Sequence, residues 1–301
     1  ASGTEALYSN TTGSSNVAQG RHALFSNTTA SYNTAVGYQS MYSNTTAQYN
    51  TAIGGAAMQY NTTGGENAAL GVGALNANTS GSYNTAVGRS ALVANTTASN
   101  NTAVGYQAGY SNTTGTELTA IGKGALYTNS TGNYNTAVGY QSLRLNTTGS
   151  SNAAFGDEAL RSNTTGGNNT ASGNIALYAN TTGTQNAAFG MQALRFNTTA
   201  SNNTAVGYQA AYSNTTGSPT TAFGKQALYA NTTGTNNCAF GQGTLQTNIT
   251  GTDNSAFGTL ALRDNTGLAN SAVGYASMLT NTSGANNVAM GVSSLRVNTT
   301  G

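Results

Sequence analysis

The chain has 301 residues, only 5% of them charged, and a net charge of +2 at neutral pH. Charge this sparse offers no basic surface to a nucleic acid, and no apolar run reaches the ~18 residues of a membrane span, so membrane insertion by this segment is not expected. One cysteine, Cys238, excludes an internal disulfide framework, and 39 Gly among tracts of Asn, Thr, Ala and Ser suit neither an ordinary enzyme nor collagen.

From the N-terminus, a partial unit "ASGTEALYS" leads into an Asn-Thr-Thr phrase at Asn10. The phrase returns at Asn27, Asn44, Asn61 and onward to Asn298, every 17 residues. The one exception is 16 residues between Asn265 and Asn281, where "NTGLAN" has lost a position. Seventeen complete units run from residue 10 to 297, with partial units at both ends, and residues 1–301 read as a single continuous repeat array. Neither end carries a distinct capping sequence, so further repeats or caps are expected to flank this segment in a longer protein.

Positions within a unit are counted from the first Asn of the phrase. Positions 1–4, "NTTG", read as a turn in which Asn and Gly take left-handed backbone angles. Positions 7–11, "NTAVG", read as a short strand. Position 9 is Ala in every unit, from Ala18 to Ala289, and position 11 is Gly in every unit, from Gly20 to Gly291. Position 10 is apolar except at Gln19 and Ser172. In an extended strand positions 9 and 10 point to opposite faces, so Ala faces a narrow interior and position 10 faces outward. A Cβ at position 11 is not expected to fit, and Gly139→Val is expected to destabilise the coil. Positions 12–16, such as "KQALY" at 225–229, fit a second strand or a helical turn equally well. Position 14 is small, and position 15 is Leu or Met except at Gly109 and Ala211. Every charged residue falls at positions 6, 12, 13, 16 or 17, and every Tyr at 6, 12, 16 or 17, which marks these as surface or corner columns.

A 17-residue unit is too short for a helix pair. Its Asn, Thr, Gly and Val are poor helix formers. The expected fold is all-β: a parallel β-solenoid (β-roll) of 17-residue coils, each strand stacked on its copy in the next coil. At the ~4.8 Å spacing of strands, seventeen coils predict a rod roughly 80 Å long. Inter-coil hydrogen bonds and Asn/Thr ladders supply the cohesion that a large apolar core would otherwise give.

The "NTAVG" phrase resembles the head repeats of trimeric autotransporter adhesins (YadA-like), whose coils carry an Asn-Ser-Val-Ala-Ile-Gly type phrase. It is also similar to repeats of bacteriophage tail fibres. The likeness covers the whole chain through short motifs, and the 17-residue coil is longer than the adhesin unit by an apparent "NTTG". This resemblance implies a left-handed β-roll wound as a homotrimeric fibre, located extracellularly, at the cell surface or on a virion. It carries over no catalytic residue.

Three features invite a chemical reading. His22 stands at position 13, where other units have Gln39, Gln107 or Glu158. Cys238 stands at position 8 among Thr, Ala, Ser and Val, as a small packed residue rather than a nucleophile. Asp157-Glu158 is the one adjacent acidic pair, and no acid/base partner recurs beside it. No catalytic, cofactor-binding or metal-binding residue is therefore assigned, no cofactor is expected, and the chain is not read as an enzyme. The Asn-x-Ser/Thr phrase matches the glycosylation sequon, against which stands an Asn ladder closing a turn.

The expected function is the structural shaft or head segment of an extracellular fibre, adhesin or tail fibre, projecting a binding tip. Its partners would be itself, as a homotrimer or longer filament, and a surface glycan or receptor met by variable Tyr, Arg and Gln at positions 12, 13 and 16. A single-chain ice-binding or filament-forming β-solenoid is the alternative. The outward stripe Val36, Ile53, Leu70, Val87, Val104, Ile121, Val138 and Phe155 carries the trimer expectation, because a lone solenoid would leave it in water.

Overall fold

The computed structural model describes residues 1–301 and contains strands and turns but no helix. The chain forms two compact units, Ala1–Ser151 and Asn152–Gly301. Each is a parallel β-solenoid wound from the same coil. In the first unit, strands β1 (Val17–Gln19) to β8 (Thr136–Val138) stack so that each residue pairs with its copy one coil on, as Ala35 with Ala52 and Val36 with Ile53. In the second, β9 (Ala153–Phe155) onward repeats the arrangement, for instance Ala171 with Ala188 and Ser172 with Phe189. The 17-residue period thus becomes strand register.

The strand reads as its alternation dictates. Ala35, Ala86 and Ala103 have no exposed surface, whereas Ile53, Leu70 and Phe155 at position 10 are 39%, 49% and 44% exposed. Five further columns close the interior: Asn at positions 1 and 7, Ala or Gly at 4, a small residue at 14 and Leu or Met at 15. The core is therefore a mixture of small apolar groups and primary amides.

Positions 12–16 are neither strand nor helix. They form consecutive turns, in which the Ala57 N–H donates to the Gly54 carbonyl and the Asn61 N–H to the Met58 carbonyl, both at 3.2 Å. Ala74 and Leu75, neighbours at positions 14 and 15, are both buried. An extended chain cannot turn adjacent side chains to one side. A left-handed backbone at position 15 (Met58 φ 51°, Leu75 φ 53°) makes this geometry. Left-handed angles also recur at position 6 (Tyr49 φ 60°) and position 13 (Ala56 φ 55°). The expectation that Asn and Gly of "NTTG" would hold those angles is overturned. The Asn side chain closes that turn itself by donating to the carbonyl three residues on, as Asn61 Nδ2 does to Gly64 at 2.9 Å.

The position-11 column fixes how closely coils approach. Gly105 has φ 138°, and a Cβ built there would lie 2.6 Å from the Gly122 carbonyl oxygen of the next coil. Gly139 shares that conformation, at φ 138°. The residue missing near Gly267 comes out of the turn alone, since Ser255, Ala256 and Phe257 still pair with Ser271, Ala272 and Val273. From just before it onward, the two-residue segments Asp264–Asn265, Thr280–Asn281 and Val297–Asn298 straighten and pair as a second, short sheet.

Gly105→Ala should cost roughly 2–4 kcal/mol, combining a left-handed L-residue with backbone overlap. Gly55→Ala, at a position where a Cβ meets nothing within 4 Å, should leave stability nearly unchanged. Thermal unfolding of the two variants followed by circular dichroism checks the difference.

Candidate functional site

The sequon-like asparagines lie inside the coil. Asn78 Nδ2 donates one hydrogen to the Gly81 carbonyl (2.9 Å) and the other to Asn61 Oδ1 (2.8 Å), while its own Oδ1 accepts from Asn95 Nδ2 (3.0 Å). The nitrogen that would carry a glycan is buried with both hydrogens engaged. A second ladder runs along position 7: the Asn67 N–H donates to Asn50 Oδ1 (2.9 Å), and Asn67 Nδ2 reaches the same Gly81 carbonyl (2.9 Å). The two ladders are thereby tied at position 4. Thr at position 2 adds a third, with Thr62 Oγ1 donating to the Thr79 carbonyl at 2.9 Å. Thr at position 3, such as Thr63, is exposed.

The residues singled out for chemistry do not converge. His22 Nε2 meets Glu5 Oε2 at 2.8 Å. Its ring packs edge-on to Phe25 and Tyr42, at centroid distances of 5.6 and 6.1 Å. His22 Nδ1 is buried without a hydrogen-bond partner. Cys238 lies half-buried between Thr221 and Ser255 of the adjacent strands. Burial pushes its thiol pKa up, the wrong direction for a thiolate nucleophile. Glu158 pairs with Arg161 at 3.2 Å, and Asp157 accepts a hydrogen bond from Asn174 at 3.3 Å. No three His, Cys, Asp or Glu residues gather as a metal site would require. An open hollow of about 420 Å³ is lined by Tyr49, Thr51, Glu66, Asn67 and Ala68. Glu66 is its single carboxyl group, without a second to form an acid/base pair.

Two outward faces remain as candidate surfaces. The first is the strand face, where position 8 (Thr34, Thr51, Thr85, Thr102) lies beside the apolar column at position 10. It carries no charged residue in any coil. In the second unit its phenylalanines stack, with Phe223, Phe240 and Phe257 at 5.0 and 5.3 Å between ring centroids.

The second face is built by positions 12, 13 and 16, which the turns bring together. His22 at position 13 lies against Phe25 and Tyr42 at position 16 and Tyr38 at position 12. Gln59 at position 16 donates to Gln39 at position 13 at 2.9 Å. In the second unit Gln192, Gln209 and Gln226 form an amide ladder (2.7 and 3.0 Å) along the floor. Beside it Arg161 and Arg195 donate to the hydroxyls of Tyr178 and Tyr212, at 2.7 and 2.8 Å, and lie over those rings.

The fold and these faces define a parallel β-solenoid with a hydrogen-bonded amide interior and repeating surface columns. No protein-family model, no curated protein and no solved structure matches the chain. No helix is long and apolar enough to cross a membrane.

Replacing Asn78 by Asp removes both donors, sets a carboxylate oxygen against the Gly81 carbonyl and Asn61 Oδ1, and should cost about 3 kcal/mol or more at neutral pH. The buried carboxyl resists ionisation, so its folded-state pKa is raised and the variant should approach the parent's stability as pH falls below the ordinary carboxylate range. Chemical denaturation at several pH values reads both effects.

Proposed function

We propose that this chain is a structural segment of an extracellular fibre, an adhesin or tail-fibre shaft or head, in which copies of the solenoid pack as a homotrimer and project a binding tip. The observation that carries this reading is the strand face: in each unit, a charge-free column of part-exposed Val, Ile, Leu and Phe at position 10, broken by a polar side chain only at Gln19 and Ser172. Monomers in water rarely leave so long an apolar stripe uncovered, and packing like stripes about a common axis removes it from solvent without a polar group needing a partner. The "NTAVG" likeness to YadA-like and tail-fibre repeats points the same way. A cell-surface or virion location follows from this reading, as does a mechanical rather than catalytic role.

One observation favours a second reading. In the first unit position 8 places Thr34, Thr51, Thr85, Thr102, Thr119 and Thr136, interrupted at Ala68, beside the apolar column on the same face at the ~4.8 Å strand spacing. Such a surface also suits a single-chain ice-binding solenoid. The position-2 threonines do not compete for this role, because their hydroxyls donate to the neighbouring coil.

Sedimentation at micromolar concentration separates the two. A trimer is expected, and Val104→Asp, Ile121→Asp and Val138→Asp together should yield monomers, with circular dichroism reporting whether the coil persists. A wild-type monomer overturns the trimer. A monomer that also shows thermal hysteresis establishes the ice-binding reading.

A further inference from the structure

All nine Lys and Arg residues stand at position 12 or 16 of the unit, so every cation of the chain belongs to the face with the glutamine floor. Within the second unit they are also spaced. Arg161, Arg195, Lys225, Arg263 and Arg296 occur once in every second coil. Arg161 and Arg195 are 34 residues apart, two coils. Lys225 and Arg263 follow two coils later each time, and Arg296 comes 33 residues after Arg263 because of the lost residue. Between them fall Tyr178, Tyr208 with Tyr212, Gln242 with Gln246, and Tyr275. The first unit shows the same alternation in its position-12 column, as Arg89, Tyr106, Lys123 and Tyr140, with Lys123 Nζ 5.8 Å from the Tyr140 ring centroid. Arg144, in the coil of Tyr140, is the one cation out of phase.

We propose that this face of the second unit binds an extended acidic polysaccharide bearing one carboxylate per disaccharide. Two coils advance about 10 Å, which matches the span of two extended pyranose units, so successive carboxylates meet successive cations. The intervening neutral sugar faces tyrosine hydroxyls and glutamine amides, groups that both donate and accept. Duplex nucleic-acid phosphates, one per ~3.4 Å of helix axis on each strand, are too dense for this ladder. Arg161 and Arg263 are paired with Glu158 and Asp264, and Asp157 lies on the same face. The cations without a carboxylate partner are Arg195, Lys225 and Arg296. Binding is therefore weak per site and multivalent along the unit. It is independent of whether the strand face assembles copies of the chain.

Affinity electrophoresis of the whole chain through gels containing hyaluronan, with neutral dextran as the control and a single-stranded oligothymidine as competitor, tests the proposal. Hyaluronan should retard the protein, added salt should abolish the retardation, and dextran should have no effect. A phase-shifted variant, Lys225→Gln with Gln242→Lys and Arg195→Tyr with Tyr212→Arg, keeps the net charge but moves two cations by one coil. It should bind roughly tenfold more weakly, with an unchanged melting curve. If that variant fails to fold, Lys225→Gln alone, at an exposed side chain, should still weaken retardation. Absence of retardation, equal binding by the phase-shifted variant, or displacement by oligothymidine at lower charge equivalents than hyaluronan would each overturn it.

Discussion

A primary amide offers two N–H donors and one oxygen, and the coil uses each of them. At position 1 one hydrogen closes the residue's own turn, the other reaches the preceding coil, and the oxygen receives the following one. No other small side chain meets these demands: Asp has no donor when ionised, Ser and Thr have one, and Gln is longer by a methylene. A polar group buried without partners would destabilise the coil by about 1–3 kcal/mol. The ladder removes that penalty along the column, except at Asn248 Oδ1, and makes a thin interior tenable. Chains of such bonds polarise one another, so the stack is stronger than isolated pairs.

This interior sets the terms for the backbone around it. Leu at position 15 fills the space beside the amides only when the chain bends left-handed there, at a cost of roughly 1–2 kcal/mol for an L-residue. Burial of the Leu side chain, about 1.5–3 kcal/mol, offsets it. The same sequence of turns sends positions 12, 13 and 16 outward to one surface. Inter-coil spacing is held by the Gly column, where backbone lies against backbone. Most of what varies between coils therefore falls in columns outside the ladders, Leu118 and Thr220 at position 7 being exceptions, and two chemically different faces arise from one repeated frame.

Much of this was legible in the sequence. The invariance of Ala18 to Ala289 and the apolar run beside it define which side of the strand is inside, because strand alternation has a period of two. The solenoid follows from the spacing of Asn10, Asn27 and Asn44. The left-handed residues were not legible: Tyr49, Ala56 and Met58 have no intrinsic preference for that conformation, and only neighbouring coils impose it. The roles of the two asparagine columns were also hidden, since sequon, turn former and buried ladder share one spelling. The cation–tyrosine alternation is written in Arg89, Tyr106, Lys123 and Tyr140. A search for the shortest period averages it away, and only the grouping of positions 12, 13 and 16 on one surface makes it a candidate site.

The shortened turn at Thr266-Gly267 leaves strand pairing intact but interrupts the amide column. Asn265 Nδ2 donates to the Gly267 carbonyl, and Asn281 resumes the ladder through Asn265 Oδ1, while Asn248 Oδ1 is left buried without a partner. A stack of nearest-neighbour interactions behaves like a row of coupled spins, whose correlation weakens where one of the links between neighbours is lost. The position-7 ladder still crosses this step, with the Asn270 N–H donating to Asn254 Oδ1 at 3.0 Å, so neighbouring coils are held by one link fewer here than elsewhere in the stack. A single-residue deletion that is silent in the strands is thus recorded in the interior, as one unmatched amide oxygen at Asn248.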